Sequence, residues 1–132
     1  MAVVREFYVE LFVADRAPYK TFLERAFCAV RSDPTDTASM FEAPGLRVLL
    51  HEGKSDLPER HFFREPIDSG ARKGVGGGNY LGVDDLEAVQ AVVADIPSFN
   101  ASPIRLMPWG LKDFRLTTRD NYYFGITALR PV

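Results

Sequence analysis

The sequence predicts an α+β domain built from two βαβββ modules, which form a curved, mostly antiparallel sheet with helices outside. Three observations predict it. An alternating strand followed by an amphipathic helix occurs once in each half. The triplet Val13-Ala14-Asp15 matches Val83-Asp84-Asp85 at the two strand-to-helix junctions. Pro44-Gly45-Leu46 holds the place in the first half that Asp120-Asn121-Tyr122 holds in the second. The result is an internal repeat of about 60 residues, weak in identity and consistent in element order. At 132 residues the chain makes a single domain, 1–132. Module one covers about 3–52, a connector 53–77 and module two 78–130.

The totals narrow the function classes. Apolar content of 46% and charged content of 26% are those of an ordinary soluble globular protein. A net charge of −2 gives no reason to expect nucleic acid or an anionic membrane as partner. No apolar run approaches the roughly 20 residues that span a bilayer. The opening MAVVREFYVELFVADR lacks the basic-then-apolar order of a secretion signal, with Glu6 and Glu10 interrupting it. The single cysteine, Cys28, excludes an intrachain disulfide and fits a reducing cytoplasm. Its apolar neighbours predict a buried, inert thiol.

Residues 3 to 14 alternate strictly. Phe7, Val9, Leu11 and Val13 point one way, to pack on a helix, and Tyr8, Glu10 and Phe12 point the other. Asp15 suits a helix N-cap region and Pro18 a first turn, after which Tyr19, Phe22, Leu23, Ala26 and Phe27 recur at helical spacing. Ser32-Asp33-Pro34 breaks the pattern. Thr37 to Glu42 and Leu46 to His51 are strands joined by Ala43-Pro44-Gly45, with Arg47, Leu49 and His51 on one face. A polar connector follows, ending in Gly74-Val75-Gly76-Gly77-Gly78, with His61, Phe62 and Phe63 packed over a groove. Its length suits a functional or partner-covering loop. Those glycines lack the Lys-Ser/Thr of a phosphate loop and precede a strand, which argues against nucleotide binding. Asn79 to Val83 is a strand, and a helix runs from Leu86 to about Ile96 with an apolar stripe of Leu86, Val89, Ala91, Val92, Val93 and Ile96. Ile104 to Met107 is another strand. The closing hairpin pairs Lys112–Thr118 with Tyr122–Ala128 around Arg119-Asp120-Asn121, where Asn tolerates the left-handed backbone such a turn needs.

That hairpin, with Pro108-Trp109-Gly110 before it, resembles the closing hairpin of the vicinal oxygen chelate superfamily. The superfamily contains glyoxalase I, the bleomycin-resistance proteins and the extradiol dioxygenases. The strand, acidic cap and Phe22-Leu23 helix are similar to the family's first βα unit, and the resemblance covers nearly the whole chain except 52–77. It implies a cupped sheet, a homodimer, and in metal-binding members one ligand from each of four strands. Those positions correspond here to Tyr8, Leu49, Gly78 and Gly125, none of which offers an imidazole or carboxylate. A slip of two residues brings in Glu10 and His51, but the second half then offers only Tyr80 and Thr127. The expectation is therefore no metal and no cofactor, closest to the metal-free bleomycin-resistance-like members.

The expected ligand site is a cavity lined by Tyr8, Glu10, Phe12, Arg47, His51, Tyr80 and Tyr123, with Leu49 between them and Trp109 free to stack on a planar ligand or to lid the core. Several rings with a few polar groups make the usual lining for a small molecule. Glu10 needs a partner if buried, and Arg47 or Arg115 could supply it. His51 reads more readily as a strand-end surface residue than as a general base. The function expected is sequestration of a small, partly aromatic molecule, without a catalytic residue. The alternatives are a lyase, isomerase or dioxygenase with an atypical metal or acid–base site from Glu10 and His51, and a protein-interaction domain whose cleft holds its own loop. No nucleic acid or membrane partner is expected, and the location expected is cytoplasmic.

Overall fold

The computed structural model describes residues 1–53 and 76–129, and the chain divides into two units, Met1–Ala71 and Arg72–Val132. The expected connector, including His61, Phe62 and Phe63, lies outside the described residues apart from its ends. The α+β class and the two βαβββ modules are as the sequence predicts.

The first unit runs β1 (Val9–Val13), α1 (Ala17–Phe27), β2 (Val30–Thr35), β3 (Ala38–Ala43) and β4 (Leu46–Glu52). Its sheet order is β1-β4-β3-β2. β1 lies parallel to β4, and the other neighbours are antiparallel. The alternation sends Leu11, Val13, Phe41, Val48 and Leu50 to one face, where Tyr19, Phe22 and Leu23 of α1 cover them. Val13, Phe22, Phe41 and Leu50 are fully buried there. Truncating Phe41 to alanine would cost about 3–5 kcal/mol, the transfer loss plus the cavity.

The second unit repeats the order with β5 (Asn79–Val83), α2 (Leu86–Ala94), β6 (Asn100–Ala101), β7 (Arg105–Leu106), β8 (Lys112–Thr117) and β9 (Tyr123–Ala128). β5 lies parallel to β9 and β9 antiparallel to β8. β6 and β7 both pair with β8, so together they fill one strand's place. The interruption falls at Ser102-Pro103, where Ser102 N–H still bonds the Arg115 carbonyl at 2.8 Å. Pro103 is tolerated because this is the sheet edge. Asp85 caps α2 by accepting from Ala88 N–H at 3.0 Å. Leu86, Val89, Val92 and Val93 bury against the face carrying Phe114, Leu116 and Ile126, whereas Ala91 faces solvent.

Both turns use the residues the sequence offers. Asn121 takes φ 64° and Gly45 φ 74°. Several expectations need correction. The first strand covers Val9–Val13 and not 3–14, since its pairing with β4 begins only at Val9 opposite Val48; Phe7, expected to pack on a helix, is exposed. Ser32-Asp33-Pro34 follows the end of the helical pattern at Phe27, as expected, but it belongs to a strand that the local sequence does not announce. It lies within β2, an exposed edge strand whose register shifts between Ser32 and Thr35, which is where a proline does least harm. Residue 16, not Asp15, is the N-cap of α1, although Asp15 Oδ1 accepts from Ala17 N–H at 3.0 Å. Cys28 is exposed, not buried: it ends α1 in the left-handed conformation, φ 54°, which turns its side chain outward.

Candidate functional site

In each unit the face away from the helix carries the polar and aromatic residues. In the first unit the register pairs Glu10 with Leu49 and Phe12 with His51, so all four share that face. His51 Nε2 lies 2.8 Å from Glu10 Oε1, and its ring stacks on Phe12 at 5.2 Å and 16°. The His51 side chain is 13% exposed and Glu10 33%. His51 is therefore a half-buried, doubly held imidazole, not the strand-end surface residue expected. The partner of Glu10 is likewise His51 and neither of the arginines expected. Arg47 is occupied elsewhere. It pairs with Glu6, lies 3.6 Å from Glu42, and sits 5.4 Å from the centroid of the Tyr8 ring. Its Nε is buried, and among the described residues no acceptor lies within hydrogen-bonding distance of it. Tyr8 itself precedes β1 and is half exposed.

In the second unit two cross-strand rows define the corresponding face. Arg115, Gly125 and Tyr80 stand in line across β8, β9 and β5, and Thr117 stands beside Tyr123. The glycine lets an aromatic ring lie across the sheet. A Cβ on Gly125 would meet Tyr80 Cε1 at 2.4 Å and Cδ1 at 2.5 Å. A Cβ on Gly78 would meet Tyr123 Cδ1 at 2.9 Å. The two rings meet edge to face with centroids 6.0 Å apart, and their hydroxyls are 3.4 Å apart. The Arg115 guanidinium sits 5.9 Å from the Tyr123 ring centroid and 3.7 Å from Asp113, which is buried on the next row. Burial foremost, then the Tyr80 hydrogen bond, raises the Tyr123 phenol above its ordinary range, while Arg115 pulls the other way.

The geometry bears on the metal that a vicinal oxygen chelate fold implies. Glu10 and His51 supply two donors of suitable chemistry. At Gly78 and Gly125, by contrast, the space a ligating side chain would need is filled by tyrosine rings. Among the described residues no three His, Cys, Asp or Glu side chains are grouped to hold an ion. The residues do not fit a divalent cation in the family's manner.

Trp109 is exposed at the Met107–Leu111 turn, so it is not the core lid that was one of its two readings. Arg115 is the residue that sequence reasoning missed as part of the site. The signal was available in its spacing: on the β8–β9 hairpin it falls opposite Gly125, the one glycine of the two strands. A separate depression of about 580 Å³ lies between α2 and the segment 99–103, lined by Glu87, Gln90, Phe99, Asn100 and Ser102 among others. None of the sequence-predicted residues lines it. Among the described residues no helix is long and apolar enough to cross a membrane.

No family model matches the sequence, and no curated protein matches it. Solved structures do. The fosfomycin resistance protein FosX from Mesorhizobium loti superposes with a TM-score of 0.66 at 15% identity, covering 97% of this chain and 95% of that one. FosX from Listeria monocytogenes, in complex with Mn(II) and sulfate, gives 0.67 at 17% identity over 98% and 93%. A glyoxalase-related enzyme from Fulvimarina pelagi gives 0.67 at 12% identity over 96% and 89%. At such identities the likeness establishes the fold, and the chain has the fold of the vicinal oxygen chelate superfamily.

Proposed function

We propose that the protein binds a small, partly aromatic organic molecule without a metal ion, and acts by sequestration. One observation carries the reading: the side-chain space at Gly125 and Gly78 is taken by the Tyr80 and Tyr123 rings. A face that has exchanged ligating side chains for aromatic rings is suited to flat organic surface, which stacks on rings with polar groups fixing orientation. The half-exposed Tyr8 ring with Arg47 over it offers the same chemistry on the first unit, and Trp109 is a further exposed ring. The test is native mass spectrometry of the purified chain together with elemental analysis. A co-purified organic mass without stoichiometric Zn, Fe, Mn or Ni supports the reading. One equivalent of metal, lost on Glu10→Gln or His51→Gln, overturns it.

A second reading has its own observation. The Glu10–His51 pair at 2.8 Å, half-buried and braced by Phe12, is an arrangement in which a carboxylate orients an imidazole for proton transfer. An acid–base lyase or isomerase would use it. Turnover of any substrate that disappears in Glu10→Gln while folding persists would favour this reading over sequestration.

The working form is a homodimer in the cytoplasm. The exposed edge strand β2 and the exposed Met1, Val3, Val4 and Phe7 support association, since such edges and apolar surface are aggregation liabilities unless covered. The exposed free thiol of Cys28 fits a reducing compartment.

A further inference from the structure

We infer that the β8–β9–β5 face of the second unit selects a planar aromatic ring carrying a carboxylate, with Arg115 as the anion contact and Tyr80 as the stacking surface. This rests on the small-molecule reading above and narrows it to a ligand class. Arg115 and Tyr80 flank Gly125 in one cross-strand row, so their backbones lie about 10 Å apart, two strand spacings. Tyr80 closes much of that gap. Its ring lies over Gly125, which brings aromatic surface to within about one strand spacing of Arg115. One face of the ring rests on the glycine and Tyr80 is 58% exposed, which leaves the opposite face for a ligand. A ring stacked there points a carboxylate substituent at the guanidinium.

The cation is held and still has donors to offer. Its position over the Tyr123 ring fixes it by a cation–π contact. Among the described residues Asp113 is the carboxylate within ion-pair range, and at 3.7 Å it stands beyond hydrogen-bonding distance. The planar fork of an arginine matches a carboxylate bidentately. The paired hydroxyls of Tyr80 and Tyr123, 3.4 Å apart, share one hydrogen bond, and the second hydroxyl proton is left to donate to a ring substituent or to water.

The experiment titrates the full chain with benzoate, benzamide and cyclohexanecarboxylate, following backbone amide shifts by NMR. Benzoate should saturate, with the largest shifts at Tyr80, Arg115 and Gly125. Benzamide removes the charge and should bind about 10- to 100-fold more weakly, the factor a charge-assisted hydrogen bond supplies. Cyclohexanecarboxylate keeps the charge and removes the ring face, and should bind several-fold more weakly by the loss of stacking, roughly tenfold at most. Arg115→Met should weaken benzoate as much as benzamide is weakened on the wild-type chain. The three-ligand comparison needs no variant, so a misfolded Arg115→Met leaves it standing. Benzamide binding as tightly as benzoate at the same residues overturns the inference and leaves aromatic binding intact. Cyclohexanecarboxylate equal to benzoate also overturns it. Saturation by none of the three sinks the inference and counts against the binding reading as well.

Discussion

Replacing Gly125 by alanine tests whether the Tyr80 ring occupies the space where a side chain would otherwise stand. The added Cβ would lie 2.4, 2.5 and 3.2 Å from Tyr80 Cε1, Cδ1 and Cζ, whereas non-bonded carbons settle about 3.5–4 Å apart. The ring must therefore retreat by about 1 Å or more. Gly125 is not in the left-handed region, so its backbone accepts alanine, and the smaller entropy of the unfolded chain contributes about 0.4–1 kcal/mol in favour of folding. Against that stands the lost contact of Tyr80 with Tyr123, about 0.5–1.5 kcal/mol, plus residual crowding. Because Tyr80 is largely exposed, it swings outward before the sheet distorts. The expected net loss for Gly125→Ala is about 0–1 kcal/mol. In a Tyr80→Ala background the obstacle is gone and the same substitution should stabilise by about 0.4–1 kcal/mol. Urea unfolding of the four proteins should thus give a coupling of about 0.5–2 kcal/mol, centred on about 1 kcal/mol. Additivity to within about 0.5 kcal/mol would show that the ring does not lie over the glycine.

The raised Tyr123 phenol sets a pH dependence. A folded value above the unfolded one, near 10, gives stability that is present below that range and lost as pH rises through the folded value. Ultraviolet titration should show a late tyrosinate that Tyr123→Phe removes and Arg115→Met moves higher still; a shift downward in Arg115→Met contradicts the assignment. Arg16→Ala should cost about 1–3 kcal/mol, because that guanidinium bonds Ser39 Oγ at 2.9 Å and the Asp36 carbonyl at 2.7 Å and pairs with Glu52 at 3.4 Å. A change below about 0.5 kcal/mol in the urea unfolding free energy would reduce the network to surface decoration. Light scattering at micromolar concentration should return twice the chain mass, and a clean monomer refutes the dimer.

What the sequence made legible was periodicity. The alternation in Val9–Val13 and Leu46–Glu52 is enough to place Glu10, Phe12 and His51 on one face, because side chains of period two cannot change face without a slip. The left-handed Asn121 was legible for the same kind of reason: local chemistry decides it. What stayed hidden depends on pairing at a distance. The edge position of β2 makes Pro34 harmless, and nothing local to Ser32-Asp33-Pro34 reveals it. Cys28 reads as buried among apolar neighbours, yet the helix ends there and its backbone turns over.

The pairing of Glu10 with His51 shows the same limit from the functional side. An inner-strand carboxylate demands a partner, and that demand can be read locally. Which partner depends on how two parallel strands are staggered, and the stagger puts Glu10 one step diagonal to His51 and leaves Arg47 to Glu6 and Glu42. In the second unit the same sheet order brings Gly125 between Arg115 and Tyr80. One fold repeated twice thus pairs a carboxylate with an imidazole across the strands of one unit and lays a tyrosine ring across the strands of the other. The difference comes from what stands at the middle of each row: leucine and histidine on β4, glycine on β9. A side chain at that middle position lets β1 reach it for pairing. A glycine there makes room for a ring from β5, and the chemistry of the face follows from that single choice of size.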